Sequence, residues 1–498
     1  SPPPMLPQPK PPPPPPPPTP PPPPMPPPFF ATCPGFVQQL GDDVLGEMVG
    51  ASGNSDHLRG TQLGRGLAMS SDGMVFAAGR DISYGIAPYF YQAQEILVYT
   101  WNGVDWIERG SPVTGPGDSW NSQTGHSLSL SDDGDILAVG NPYYTANGVN
   151  HAGEARVYEW DGAEYTQRGG DLPIFIGPSF YQQAKDRFGY RVSLSGDGTI
   201  VAVGVEGAGS PSYAQVHVYK WTGGPEWLPY GAMASHPRAS LVRDPTAHDD
   251  DDILRDMRLT RDGTTLVVGW AGGFVGTRRY GEVRVYDAIP LVADPNQVVW
   301  TQRGDSILAE DFGGSGSGEM NGYAVAVSDN GNIIATSSPY AAVAGVNNGW
   351  GGTGIARAFT WNGVAWVQMG STLHGATAPK AHPWDYQYAY FGEGLAMNAN
   401  GDVLVVGAPA YSSYKGRIQA YTWNGASWAA YGDPIYGFDG DGSHLNLGRT
   451  NIYSGRSLAM SAKGDRFVEG TGYYEIMNGN RRNELGRVRV YTCPDTSV

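Results

Sequence analysis

Seven times along the chain, a short run of alternating apolar residues meets a polar turn and continues as a second apolar run. The seven are "GLAMSSDGMVFAAG" (66–79), "HSLSLSDDGDILAVG" (126–140), "YRVSLSGDGTIVAVG" (190–204), "DMRLTRDGTTLVVG" (256–269), "YAVAVSDNGNIIAT" (323–336), "GLAMNANGDVLVVG" (394–407) and "RSLAMSAKGDRFVEG" (456–470). A period of two belongs to strands, and the central Ser-x-Asp-Gly marks a hairpin turn. These runs are strands a and b. After a variable loop comes a third run carrying Tyr and Trp, such as "RVYEW" (156–160), which is strand c. A Trp-Asn-Gly or Trp-Thr-Gly turn leads to strand d, as in "WIERG" (106–110), "WTQRG" (300–304) and "WVQMG" (366–370). Helical periodicity is absent. The units return every 60–70 residues or so, and none can bury both faces alone. The pattern predicts an all-β fold, a seven-bladed β-propeller.

The seventh unit stops at strand c, in "GRVRVYTCP" (486–494), with no strand d after it. The missing piece stands near the start, as "FVQQLG" (36–41), one residue longer than the usual spacing. The N-terminal strand is therefore expected to complete blade 7 and to close the ring by hydrogen bonds. Cys493 stands where other units carry the Trp of "YTWNG", and Cys33 lies three residues before the aromatic position of strand d. A Cys33–Cys493 disulfide would replace the missing hairpin turn. In the chain-entropy model so long a loop stabilises by roughly 5 kcal/mol. Such a bond implies an oxidising, extracellular compartment.

Residues 1–28 hold 21 of the 41 prolines. Proline fixes φ and donates no N–H, so this run predicts a polyproline II arm, roughly 85–90 Å long at about 3.1 Å per residue. The expected organisation is an arm over 1–30 and a propeller over 31–498. The net charge of −16 argues against nucleic acid as a partner and against simple adhesion to anionic lipid. No apolar run approaches the ~18 residues of a membrane helix, so membrane insertion is not expected. No signal peptide is visible, and there is no Asn-x-Ser/Thr sequon.

The units resemble the FG-GAP repeats of integrin-α-type propellers. The sixth carries Phe391-Gly392 before strand a and Gly407-Ala408-Pro409 after strand b, and the third carries Phe188-Gly189. The resemblance covers roughly 31–494 and implies the propeller fold. Integrin-type calcium loops are long and Asp-rich between strands a and b. Here that connection is "SDDG" (131–134) or "NANG" (398–401), which are turn formers, so calcium is not carried over to them. The arm resembles the hydroxyproline-rich glycoproteins of plants and green algae, such as extensins and volvocine wall proteins. That resemblance implies hydroxylation and O-linked arabinose or galactose at Pro11, Pro12, Pro13, Pro14, Pro15, Pro16, Pro17, Pro18, Pro20, Pro21, Pro22, Pro23 and Pro24, with sugars on Ser1 and Thr19 as well. It also implies a place in the cell wall, at the cell surface or on the flagellar surface.

For chemistry the sequence offers little. It has no His-Glu-x-x-His, no cysteine cluster, no phosphate-binding glycine loop and no nucleophile elbow. The chain is not expected to be an enzyme, and no cofactor is expected. The acidic runs with Asp249 and Asp251 ("HDDDD") and with Asp439 and Asp441 ("DGDGS") read as solvated loops or as weak divalent-ion sites. Trp106, Trp300, Trp366 and Trp428 recur in register and should pack blade against blade. The row Arg156, Arg284, Arg357 and Arg489 should cross to a neighbouring blade. Short a–b and c–d turns put both families of long loops on one face. That face carries Tyr84, Tyr89, Tyr91, Tyr143, Tyr144, Tyr340, Tyr411, Tyr414, Tyr473 and Tyr474, a composition suited to binding. The expected function is an extracellular structural glycoprotein that polymerises head to tail through arm and propeller faces. Its partners would be itself, O-linked glycans, and wall or flagellar-surface glycoproteins. The alternative is a secreted carbohydrate-binding or adhesive propeller.

Overall fold

The computed structural model describes most blade strands and turns between residues 38 and 493. Residues 1–37, the connections 50–58, 85–90, 116–122, 173–186, 207–213, 236–253, 311–318, 342–351, 377–388 and 438–452, residues 494–498 and a few shorter gaps lie outside the described residues. The arm, Cys33, Tyr89, Tyr473, Tyr474, Asp249, Asp251, Asp439 and Asp441 are all among those outside.

Seven antiparallel sheets, each ordered a-b-c-d, make up the propeller. In blade 1 the strands are Leu67–Met69, Val75–Tyr84, Tyr91–Trp101 and Trp106–Glu108. The one helix among the described residues is the single turn Tyr411–Tyr414. Strand b is apolar on both faces because both sides are covered by neighbouring blades. All six residues of Ile136–Asn141 are buried, as are those of Ile200–Val205 and Val403–Ala408.

The Ser-x-Asp-Gly turns behave as the sequence predicts. In blade 2, Ser131 Oγ donates to Asp133 at 2.6 Å, and Asp133 accepts the N–H of Asp135 at 2.9 Å. The same bonds recur with Ser70 and Asp72, and with Ser195 and Asp197. Each of these aspartates is spent on holding its hairpin. The seven turns also bond to one another round the axis. Among the described residues, six of the seven steps are backbone hydrogen bonds of 2.7–2.9 Å, through Ser71, Asp132, Gly196, Arg261, Asp329, Ala399 and Ala462. At the remaining step, from blade 4 to blade 5, the Arg261 guanidinium lies 3.5 Å from Asp329 and also pairs with Asp132.

Blade packing explains the repeated glycines and tryptophans. Gly407 ends strand b of blade 6 directly against Gly455 of blade 7, and a Cβ on Gly407 would lie 1.8 Å from the Gly455 carbonyl oxygen. On the outer rim, Trp indole N–H groups reach back to the preceding blade. Trp300 donates to Tyr230 O at 3.0 Å, Trp366 to Arg303 O at 3.0 Å and Trp428 to Met369 O at 3.1 Å. The arginine row departs from expectation. Arg357 crosses to the preceding blade, donating to Leu308 O at 2.9 Å. Arg156 and Arg284 pair with Glu154 and Glu282 two residues earlier on their own strands, each at 2.8 Å. The nearer carboxylate wins because the pair is already on the same face of one strand.

Ring closure follows the predicted route. Gln38–Gln39 pairs antiparallel with Arg487–Thr492 of blade 7, Gln38 opposite Thr492. Arg489 then reaches Asp43 at 2.7 Å, and Trp106 of blade 1 donates to Leu40 O at 2.9 Å. Gly41 fits against Trp101, where a side chain would collide. The first strand thus accepts a Trp indole N–H from the next blade, as the strands d beside Trp300, Trp366 and Trp428 do.

Candidate functional site

Where strand a begins, at the end away from the a–b turn, the blades share a second device. Gln62, Gln123, Arg187, Met320, Tyr390 and Tyr453 occupy equivalent positions, all with left-handed φ of 45–57°. Two residues later comes a glycine with positive φ in each of these blades. In four of them the next N–H donates back to the left-handed residue's carbonyl: His126 to Gln123, Tyr190 to Arg187, Glu393 to Tyr390 and Arg456 to Tyr453. This is a turn that requires glycine at its third position. The residue before that glycine is the buried anchor, Phe188 in blade 3 and Phe391 in blade 6, both fully buried. The residue after it is delivered to the propeller axis.

The six residues so delivered are Arg65, His126, Tyr190, Tyr323, Glu393 and Arg456; blade 4 has Leu254 in place of the glycine and places Arg255 at the same position, and all seven line one cavity of about 500 Å³. Arg187, Arg191, Glu206, Asp256, Arg258 and Tyr143 complete its polar wall. Six guanidinium groups therefore face three carboxylates, in a chain whose net charge is −16. Glu206 pairs with Arg187, Glu393 with Arg456 at 3.1 Å, and Asp256 with Arg191 at 3.5 Å and Arg258 at 3.6 Å. Arg255 donates to the Tyr190 hydroxyl at 3.0 Å, and its Nε is buried without a hydrogen-bond partner. Tyrosine rings carry the guanidiniums: Arg187 lies 4.6 Å over Tyr143, Arg191 4.7 Å over Tyr190 and Arg255 5.8 Å over Tyr323.

His126 sits among these charges. Burial, reinforced by Arg191, Arg65, Arg456 and Arg187, holds its pKa well below the usual histidine range, so the ring is neutral. Arg191 donates to its Nε2 at 3.2 Å, which leaves the proton on Nδ1. Burial pushes the Glu393 carboxyl up, and Arg456 only partly offsets it. The site can hold an anion by charge, with a neutral imidazole beside it.

Of the tyrosines expected on the binding face, Tyr143 alone lines this cavity. Tyr340 lies just outside, its ring 5.9 Å from Tyr323 and 5.1 Å from Tyr390. Tyr411 and Tyr414 stack instead on Tyr436 at 6.0 Å and Tyr453 at 5.1 Å. Tyr84 and Tyr91 face each other in the register of the blade 1 hairpin, and Tyr144 shapes a backbone turn. Among the described residues no His/Cys/Asp/Glu cluster could hold a metal ion. The axial ring was missed because the repeat was aligned on its apolar core. Counting five residues back from the turn residue (Ser, Thr or Asn) of each unit finds it, since that column is polar in all seven.

No family model matches the chain, and no curated protein matches it. Solved structures do. A Bacteroides uniformis protein assigned as a 6-phosphogluconolactonase is 12% identical over 75% of this chain and 85% of its own, with a TM-score of 0.43. The periplasmic gluconolactonase PpgL of Pseudomonas aeruginosa is 16% identical over 80% and 95%, with a TM-score of 0.45. The Dos1 propeller is 11% identical over 93% and 97%, with a TM-score of 0.41. The likeness is one of fold. The protein is a seven-bladed β-propeller.

The expectation that the chain is not an enzyme is corrected here. Two of these propellers carry the names of lactonases. The reason is physical: a site on a propeller axis is assembled from one residue per blade. It therefore leaves no contiguous motif in the sequence.

Proposed function

We propose that the protein is an extracellular propeller module that binds an acidic ligand in its axial pocket. The observation that supports this is the excess of guanidinium over carboxylate groups around one cavity of a strongly acidic chain. Calorimetric titration with small carboxylates and phosphates tests the proposal, and binding should weaken as salt rises. The same samples are incubated with sugar lactones, with acid release as the readout for turnover. Absence of any anion binding would refute the reading.

The proline-rich run supports a second role for the same chain. Residues 1–28 act as a hydroxylated, glycosylated arm that docks on a neighbouring propeller, linking subunits head to tail. The Phe-Gly turns at 188–189 and 391–392 fit kinship with FG-GAP propellers. Deleting 1–28 should leave a folded monomer. Normal fibres from the truncated protein would refute the arm's role.

A further inference from the structure

We infer that the ligand of the axial pocket is a sugar acid, its carboxylate held by Arg255 and its hydroxyls by the carboxyl groups of the wall. The inference rests on the pocket taking an anion and goes on to name which one.

The charges of the pocket are unevenly spent. Arg187, Arg191, Arg258 and Arg456 each have a carboxylate partner. Arg255 has no ion pair among the described residues. It donates to a phenol, lies over the Tyr323 ring and keeps its Nε buried and unbonded. A guanidinium presents parallel N–H groups that match a carboxylate two by two. Arg65 is tied to the Gln123 amide oxygen at 3.2 Å. The guanidinium of Arg255 suits one monoanionic group.

The carboxylates argue against phosphate. Glu206 and Asp256 are each 5% exposed, so their repulsion of a dianion would be little screened. A site built for a polyphosphate would not place them, with Glu393, in the same wall. What they suit is a hydroxyl donor, since O–H to carboxylate bonds are short and strong. Asp256 shows this capacity for neutral donors by accepting the Val325 N–H at 3.0 Å. The Glu393 carboxyl pairs with Arg456 at 3.1 Å and offers oxygens to such a donor. A cavity of about 500 Å³ has room for one or two sugar rings. A carboxylate with several hydroxyls is the chemistry of a uronic or aldonic acid, either free or at the end of a glycan.

The test is calorimetric titration of the full chain with glucuronate, glucuronamide, acetate and inorganic phosphate. Glucuronate should bind at least about tenfold more tightly than each of the others, as expected for one charge-assisted pair or a set of hydroxyl bonds. Arg255→Gln should erase the preference of acid over amide. Arg255→Lys keeps the charge but loses the fork, and should recover only part of it. Glu393→Gln should weaken glucuronate several-fold while leaving the acid-over-amide preference intact. Unchanged melting temperatures certify that the variants fold. The methyl glycoside of glucuronate separates the two sources: equal or tighter binding indicates a glycan terminus, weaker binding the free acid, and both support the inference. Phosphate or acetate binding as tightly as glucuronate would overturn the sugar acid and leave the anion site standing. No binding by any anion would overturn both. A fully folded Arg255→Gln that retains the acid preference would overturn the role of Arg255.

Discussion

His217 shows how one residue can depart from its column. At the same position of strand c, four blades carry Arg156, Arg284, Arg357 and Arg489, and blade 1 carries Leu97. His217 is 4% exposed, edge-on to Phe188 at 5.7 Å between ring centroids, and burial pushes its pKa down to about 4. The unfolded chain takes up a proton at this residue as pH falls through about 6.5, while the folded one holds it off until about 4. Stability from this residue is therefore complete above pH 6.5 and lost progressively between there and about 4. At pH 5 the loss amounts to about 2 kcal/mol. Replacing His217 with the leucine of blade 1 is expected to remove that part of the acid sensitivity, read as the difference in urea unfolding free energy between pH 7 and pH 5. His126 titrates in the same direction, so the variant should retain a smaller acid loss. A second contrast lies in blade 6. Gly407→Ala meets the Gly455 backbone and should cost about 3 kcal/mol, because neither backbone can yield. Gly425, at φ +95° with open space around it, should cost only about 1–2 kcal/mol, all of it conformational. Denaturant titration of the two variants separates crowding from strain.

At the scale of the element, the sequence is most informative where burial is two-sided. Strand b declares itself as an unbroken apolar run, and strand c by its Tyr and Trp, because packing between blades admits few other residues. Turns declare themselves by Ser, Asp and Gly. The axial site does not, because each blade contributes one polar residue of any kind, and no pair of them is adjacent in sequence. Arginine partners were also illegible: a carboxylate two residues away and one in the next blade are equally plausible until the strands are placed. The closing strand is legible for the opposite reason, since its defect lies in the count of strands. Its energetic role can be isolated. Removal of residues 1–28 is expected to leave the thermal midpoint unchanged. Removal of 1–41 takes away the pairing with Arg487–Thr492, the Leu40 acceptor of Trp106 and the seat of Trp101. Deletion to 41 should lower the midpoint by about 5 °C, from the loss of about 5 kcal/mol in a large domain. Non-reducing peptide mapping of the intact protein is expected to yield a Cys33–Cys493 cross-link. Equal midpoints for the two truncations would show that the ring closes without this strand.

The whole molecule sets chain direction against spatial order: strand d of the last blade comes from the first part of the sequence. Strand c of blade 7 begins at Arg487, and its partner ends at Gln39. A ribosome adding about 5–20 residues per second spends roughly 20–90 s between the two. For that interval six blades can assemble on one another, but the first strand has nothing to pair with. An apolar strand left waiting would be an invitation to another copy of the chain. The strand that waits here lies in FVQQLG (36–41), of which Gln38–Gln39 is the described paired part, and it is followed by Asp42 and Asp43. The two aspartates make it a poor partner for a second copy of this acidic chain, whereas the blade it completes offers Arg489 to Asp43 at 2.7 Å. The acidic pair that fastens the finished ring is thus also the means by which the nascent chain stays solitary until the ring can close.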